Sequence, residues 1–126
     1  MTNKEFGARG EYLARLFLEK KGYLFIRAGF TTKYGEIDLI MQENDELVFV
    51  EVKTRTAESE ARFGRGAEKI DREKRDHIRK AARIFMLQEP RLTRGLLPRF
   101  DAVELVLEKE GSDRVGVRHT PFAFEA

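Results

Sequence analysis

The stretch that decides the fold is Gly35–Lys53, which reads GEIDLIMQENDELVFVEVK. Apolar or β-branched side chains alternate with other residues along Glu36–Gln42 and Leu47–Thr54, and this period of two predicts two β-strands. The polar residues 43–46 separate these strands and predict a tight turn. The stretch is therefore expected to fold as a β-hairpin.

Three charged residues interrupt these apolar strands: Asp38, Glu51 and Lys53. A hairpin centred on Asn44 and Asp45 puts Asp38 opposite Glu51, and directly paired Cβ atoms lie about 4.5–5.5 Å apart. Ionised side chains inside a sheet are rare without a partner or a metal. Two carboxylates beside an ammonium can hold a divalent cation and activate water against a phosphodiester. The alternative is an ion-pair cluster that only joins the strands.

The same register places Glu36 opposite Lys53. The Glu36 carboxylate then either neutralises that ammonium, which the pairing favours, or joins a metal site.

The remaining pattern predicts two helices and three further strands around the hairpin. The helices are residues 3–21, with Asn3 as N-cap, and residues 68–88; the strands are Tyr23–Arg27, Arg99–Leu107 and Arg114–Thr120. Gly7 and Gly10 weaken the first helix and indicate close packing there. The order α-β-β-β-α-β-β predicts a single α/β domain over residues 1–126, with a mixed central sheet flanked by helices.

Composition excludes several classes of protein. The chain has 126 residues, of which 41% are apolar and 37% charged, as in a globular protein with a highly charged surface. It has no cysteine, which rules out disulfides, thiolate metal sites and cysteine nucleophiles. We expect no membrane association, because no apolar run approaches a membrane span and the amino terminus lacks a signal-peptide core. A cytoplasmic location is expected.

Positive charge is concentrated just after the hairpin. Residues 52–83 hold 11 Lys/Arg against 6 Asp/Glu. Arg55 follows Lys53 on the same strand face, where it either contacts phosphate or is an exposed charge at a strand end. Arg62 and Arg65 fall in a polar loop, and the segment as a whole predicts either a nucleic-acid contact or a solvated basic face.

Residues outside the hairpin offer few further sites. Asp101 follows Arg99 closely and is expected to form a salt bridge that supports the fold. His77 and His119 are isolated in the sequence and are expected to be surface or packing residues. The sequence contains no nucleophile elbow, phosphate-binding glycine loop or dinucleotide fingerprint.

The hairpin motif resembles that of the PD-(D/E)xK nucleases, in which an acidic residue is followed after a variable gap by acid-x-Lys. Ile37 stands where the motif's name has proline. The resemblance implies a restriction-endonuclease-like fold and a Mg²⁺ or Mn²⁺ cofactor. It implies that Asp38 and Glu51 are metal ligands, that the Val52 carbonyl adds a ligand, and that Lys53 activates the attacking water.

A narrower resemblance covers roughly residues 4–122. Matching strings are Gly10-Glu11, Gly35–Ile40, Val48–Arg55, Lys74 before Ala81-Ala82, and Arg99–Asp101. These are similar to the YraN family of predicted bacterial endonucleases, itself distantly similar to archaeal Holliday-junction resolvases. The chain departs from the family pattern at Ala28, Thr31 and Thr32.

The family resemblance gives two more residues a candidate role. Glu11 corresponds to a helix glutamate near the metal site of the resolvases; the alternative is a surface pair with Arg15 at i+4. Lys74 either acts at the active site or on phosphate, or it covers apolar surface with its alkyl chain. Similarity to resolvases also points to a homodimer.

The sequence therefore predicts a divalent-metal-dependent nuclease that acts on DNA, including branched DNA. Because no base-reading module occurs, the enzyme is expected to select DNA by structure and not by sequence. Two alternatives stay open: a nucleic-acid-binding protein that keeps the nuclease fold without cutting, and an assembly module whose hairpin charges only organise the sheet.

Overall fold

The computed structural model describes residues 2–59, 70–109 and 114–126. Five strands form one mixed sheet in the order β1-β2-β3-β4-β5. They are β1 (Leu24–Thr32), β2 (Gly35–Glu43), β3 (Glu46–Thr56), β4 (Leu97–Leu107) and β5 (Val115–Phe124). β3 and β4 pair in parallel, and all other neighbouring strands are antiparallel.

Helices fully within the described ranges are α1 (Asn3–Lys20), α2 (Arg72–Gln88) and the short α3 (Pro90–Thr93). α1 packs on one face of the sheet through Ala14 and Leu18, and α2 packs on the other through Ile78 and Phe85. Both faces of β3 are thus covered, which explains its nearly continuous apolar run. No helix in the described ranges is long and apolar enough to cross a membrane.

The predicted order of the two long helices and five strands is confirmed, as is the mixed α/β class. The short helix α3 was not predicted, and several boundaries differ. The N-cap of α1 is Thr2, whose hydroxyl accepts a hydrogen bond from the Glu5 N–H, not Asn3. β1 continues to Thr32 instead of ending at Arg27, because the polar residues predicted as a connection pair with β2. The second helix begins after Asp71, which caps it; residues 60–69, where its start was predicted, lie outside the described ranges.

The hairpin register is confirmed over most of its length. Leu39 pairs with Val50, Ile40 with Phe49, and the ladder continues to Glu43 and Glu46 at the turn. Leu39 packs on the α1 side of the sheet whereas Ile37 packs on the α2 side. Residues two apart share a face in a regular strand, so β2 rotates about its axis at Asp38.

A buried polar network lies towards the turn end of the hairpin. The Arg99 guanidinium donates to both carboxylate oxygens of Asp101 at 2.8 Å, and also to Glu43 and Glu46. The predicted salt bridge of Asp101 is therefore confirmed. The sequence suggested that His119 is isolated, but the structure shows that it has a partner. Its Nε2 lies 2.8 Å from Asp101, because pairing of β5 with β4 brings the two residues together.

Gly10 allows α1 to pack directly against β3. A Cβ at this position would lie 1.8 Å from the Thr54 hydroxyl oxygen, whereas a Cβ at Gly7 would meet nothing within 4 Å. The sequence suggested close packing at both glycines, and the structure shows it at Gly10 alone.

Gly10→Ala is expected to lower the free energy of unfolding by about 1–3 kcal/mol, because the added methyl group overpacks the contact with Thr54. Gly7→Ala is the matched control and is expected to raise it by about 0.5–1 kcal/mol through better helix propensity. Chemical denaturation of both variants measures the two effects. Equal effects of the same sign would contradict the packing described here.

Candidate metal centre

The two hairpin strands separate just beyond Leu39 and Val50, and the site opens at this point. Asp38 does not pair with Glu51 as the symmetric register predicted. Instead, the Asp38 carboxylate accepts a hydrogen bond of 2.7 Å from the Val52 backbone N–H. A side chain thus takes the donor that backbone pairing would have used, which fixes the position of the carboxylate between the strands.

Glu36 is also placed differently from the prediction. It pairs with Thr31 of β1 and not with Lys53, because the β2–β3 ladder has already ended. Its carboxylate lies beside Gly29, where an added Cβ would be 3.2 Å from the Glu36 oxygen. Glu36 therefore brings a carboxylate oxygen close to Asp38.

Three carboxylates converge here: Glu11, Glu36 and Asp38 each contribute an oxygen, and the three oxygens lie within 4.8 Å of one another. Glu11 comes from α1, next to the close contact of Gly10 with β3. Its predicted alternative, a pair with Arg15, is wrong: Arg15 lies 3.4 Å from Glu19 and stacks on a phenyl ring of β1.

A fourth carboxylate, Glu51, is held by an ammonium from the opposite side of the sheet. The Lys74 Nζ lies 2.6 Å from the Glu51 Oε1. The Glu51 side chain is 13% exposed and that of Lys74 48% exposed. Lys74 stands in the first turn of α2, where its backbone N–H donates to the capping Asp71. Lys74 thus contacts a candidate site residue, as the family resemblance implied.

A cavity of about 440 Å³ opens beside Glu36, Asp38 and Glu51. Its charged and titratable lining residues are mostly acids, with one lysine and one histidine: Glu36, Asp38, Glu51, Asp71, Glu73, Lys74 and His77. His77 was predicted as a surface or packing residue, and nothing in the sequence linked it to the hairpin. Such a cavity repels a phosphate group unless a cation enters with it.

Burial and mutual repulsion raise the pKa values of two of these carboxyl groups. Burial and the charge of Glu51, with smaller contributions from Glu11 and Glu36, raise the pKa of Asp38 to about 7, although the Val52 N–H opposes the shift. Burial and the charges of Glu36 and Glu51 likewise raise the pKa of Glu11. Carboxylates this crowded are destabilised when ionised, and a bound cation would relieve them.

The donor set fits a hard divalent cation. All of the converging groups are carboxylates, which suit Mg²⁺ and Mn²⁺ better than soft metals. Oxygens within 4.8 Å of one another can share a single ion at coordination distances of about 2.0–2.6 Å. Of the two predicted carboxylate ligands, Asp38 belongs to this set of oxygens together with Glu36, whereas Glu51 lies outside the set and pairs with Lys74. The sequence carried a signal for Glu36, since it lies two residues before Asp38 on one strand.

Lys53 and Val52 lie beside this cluster. Lys53 lines a separate cavity of about 80 Å³ together with Glu51, Lys74 and Glu104. Val52 contributes its N–H to Asp38, as described above. Lys53 thus neighbours Glu51 along the same strand face, as predicted.

Arg55 is buried and not the exposed strand-end charge that one interpretation expected. It is 9% exposed, and its Nε and Nη2 are buried without a hydrogen-bond partner among the described residues. These are the same two nitrogens with which Arg99 holds Asp101. Buried guanidinium nitrogens without acceptors are costly, and the described part of the chain supplies no acceptor for these two. Arg62 and Arg65 lie outside the described ranges.

Most of this chain matches one known protein family. The family described as "Uncharacterised protein family UPF0102" matches residues 10–105. A UPF0102 protein of Syntrophomonas wolfei is 38% identical over 113 residues, which cover 90% of this chain and 93% of the relative. One from Pasteurella multocida is 42% identical over 100 residues, covering 79% and 82%.

A third relative, from Caldanaerobacter subterraneus, is 37% identical over 124 residues and covers 98% of both chains. The family match spans α1 from Gly10, the whole hairpin, α2 and most of β4, and so includes all of the candidate site residues. The chain therefore belongs to the UPF0102 family, the YraN-like family that its hairpin strings resemble.

Proposed function

We propose that this protein is a Mg²⁺- or Mn²⁺-dependent endonuclease with a restriction-endonuclease-like fold, hydrolysing phosphodiester bonds in DNA by structure and not by sequence. The observation that carries the proposal is the convergence of Glu11, Glu36 and Asp38 oxygens within 4.8 Å of one another. Two of these residues, Glu36 and Asp38, line an open cavity together with Glu51. Partly burying several carboxylates from two strands and a helix close together costs free energy, because they lose hydration and repel one another. A bound cation would offset this cost, and such perturbed acids are typical of functional sites.

The metal would supply charge neutralisation at the scissile phosphate and a more acidic bound water. The protein's own residues do the rest. Asp38 is held in place by the Val52 N–H, and Glu11 is positioned by the packing of α1 on β3. The Lys53 ammonium, which lies next to Glu51 on β3, would orient the attacking water.

Contacts to the rest of the substrate would come from the basic groups beyond the acidic cluster. Arg55 lies two residues past Lys53, and about 6.6 Å separates alternate residues of a strand. A guanidinium fork matches two oxygens of a phosphate group, and the Arg55 fork would have to become exposed before DNA could reach it. Phosphate contacts carry no base information, which supports selection by DNA shape. Paired incision of a four-way junction would require a homodimer.

A cleavage panel of linear, flapped and four-way DNA with Mn²⁺ tests the proposal. Wild-type protein is expected to cut branched DNA and to lose the activity with EDTA. Glu51→Gln is expected to bind the same DNA and cut at least about a hundredfold more slowly, since one site carboxylate is lost. Salt-dependent DNA binding with no cleavage in the presence of any divalent metal would contradict the proposed nuclease activity. It would favour the alternative of a protein that binds nucleic acid without cutting it.

A further inference from the structure

The ion pair between Lys74 and Glu51 affects the number of divalent cations that the site can bind. Metal-dependent phosphodiester hydrolysis uses one ion or two, and two-ion sites place the ions about 3.5–4 Å apart. In such sites the carboxylates are shared between neighbouring ions. Here one carboxylate, Glu51, is already engaged by a cation that belongs to the protein.

The four acids divide into two groups. Oxygens of Glu11, Glu36 and Asp38 lie within 4.8 Å of one another, close enough for one ion. Glu51 stands apart from that set of oxygens, although its charge acts on both Glu11 and Asp38. A second ion would therefore need Glu51 as its main ligand.

The Lys74 ammonium occupies the place that such an ion would take. Its Nζ lies 2.6 Å from the Glu51 Oε1, and a Mg²⁺–oxygen bond at the same carboxylate would be roughly 2.0–2.1 Å long. The Lys74 side chain lines both the large cavity and the smaller one, as Glu51 does. An ammonium and a divalent ion cannot both contact the same carboxylate oxygen without strong repulsion.

The position of Lys74 is built into the fold. It belongs to the first turn of α2, which Asp71 caps through the Lys74 N–H and which Ile78 and Phe85 anchor to the sheet. The lysine therefore reaches Glu51 from a fixed helix end and not from a loop.

We infer that the site binds a single divalent cation, held by Glu11, Glu36 and Asp38, and that the Lys74 ammonium serves in place of a second cation at Glu51. This rests on the proposed function for the first ion. Lys74 is thus a positioning residue for Glu51, and the protein is committed to one-ion chemistry.

Counting Mn²⁺ bound per chain by equilibrium dialysis tests the inference without any measurement of activity. Wild type is expected to bind one ion. Lys74→Met is expected to bind two, with the first about tenfold tighter because a nearby positive charge is gone. Lys74→Arg keeps the charge and is expected to bind one, as is Lys53→Met, which removes a neighbouring ammonium from the same wall. Lys74→Gln repeats the charge removal with a polar side chain.

The outcomes separate this inference from the proposed function. Two ions on wild type, or one ion of unchanged affinity on both Lys74→Met and Lys74→Gln, would overturn the role of Lys74 and leave the metal site standing. No ion on wild type would overturn the metal site itself, and the inference with it.

Discussion

Replacing Asp38 by asparagine is expected to abolish DNA cleavage and, at the same time, to stabilise the metal-free protein at pH 8. The loss of cleavage follows from removal of a central metal ligand, which supplies several kcal/mol of transition-state stabilisation and hence on the order of a thousandfold in rate. Asparagine can still accept the hydrogen bond from the Val52 N–H, so the fold is retained. DNA binding is expected to persist.

The gain in stability follows from the raised pKa of Asp38. Its pKa is about 7 in the folded protein against an ordinary value of 3.8, so the folded state holds the proton more tightly than the unfolded chain does. Stability from this group is therefore full below about pH 4 and is lost as the pH rises towards 7. Since the neighbouring acids titrate together with Asp38, we expect a gain of about 1–3 kcal/mol for Asp38→Asn at pH 8.

Denaturation of wild type and Asp38→Asn between pH 4.5 and 8 measures this effect, with cleavage assayed in parallel. The difference between the two proteins is expected to grow with pH. Asp45→Asn removes the same charge from the exposed turn of the same hairpin and is expected to change neither stability nor cleavage. A pH-independent destabilisation by Asp38→Asn would contradict the crowding of carboxylates described here.

Replacing Asp101 by alanine is expected to lower the free energy of unfolding by about 3–5 kcal/mol, the largest loss from any single charged residue of the described chain. Asp101 is fully buried and accepts hydrogen bonds from Arg99, His119 and the Phe122 backbone N–H. Burial alone would raise the pKa of Asp101, but the bonds from Arg99 and His119 outweigh it and hold the pKa below its ordinary value. Its removal leaves these buried donors unsatisfied.

Glu104 provides the control, since it forms a pair of 2.8 Å with Arg118 on the same strands but at a partly exposed position. Glu104→Ala is expected to cost no more than about 1 kcal/mol. Chemical denaturation at pH 7 compares the two variants. A loss below about 1 kcal/mol for Asp101→Ala would show that the network contributes little to stability.

The sequence predicted the sheet well because its strands carry strong local signals. The apolar runs Leu39–Met41 and Leu47–Val50 on either side of a polar turn predict the hairpin and its register without knowledge of the rest of the chain. Glycine alone was a weaker signal, because it predicted close packing at both Gly7 and Gly10, and only Gly10 contacts Thr54.

The contacts that the sequence did not predict depend on where neighbouring strands stop pairing and which strands become neighbours in space. The sequence predicted symmetric pairing of β2 with β3 up to Asp38 and beyond, but the ladder ends at Leu39 and Val50. The Asp38 carboxylate accepts the Val52 N–H there, and no local sequence rule reveals this contact. Glu36 was consequently assigned to Lys53 instead of to Asp38. His119 joined Asp101 only through the pairing of β4 with β5, a contact that periodicity cannot reveal.

We expect carboxylates of α1 and β2 to share one divalent cation. Crystals grown with Mn²⁺ and measured at the manganese absorption edge test it most directly. We predict a single anomalous peak within about 2.0–2.6 Å of oxygens from Glu11, Glu36 and Asp38. Absence of a peak there at saturating Mn²⁺, with the three carboxylates turned away from one another, would contradict the claim.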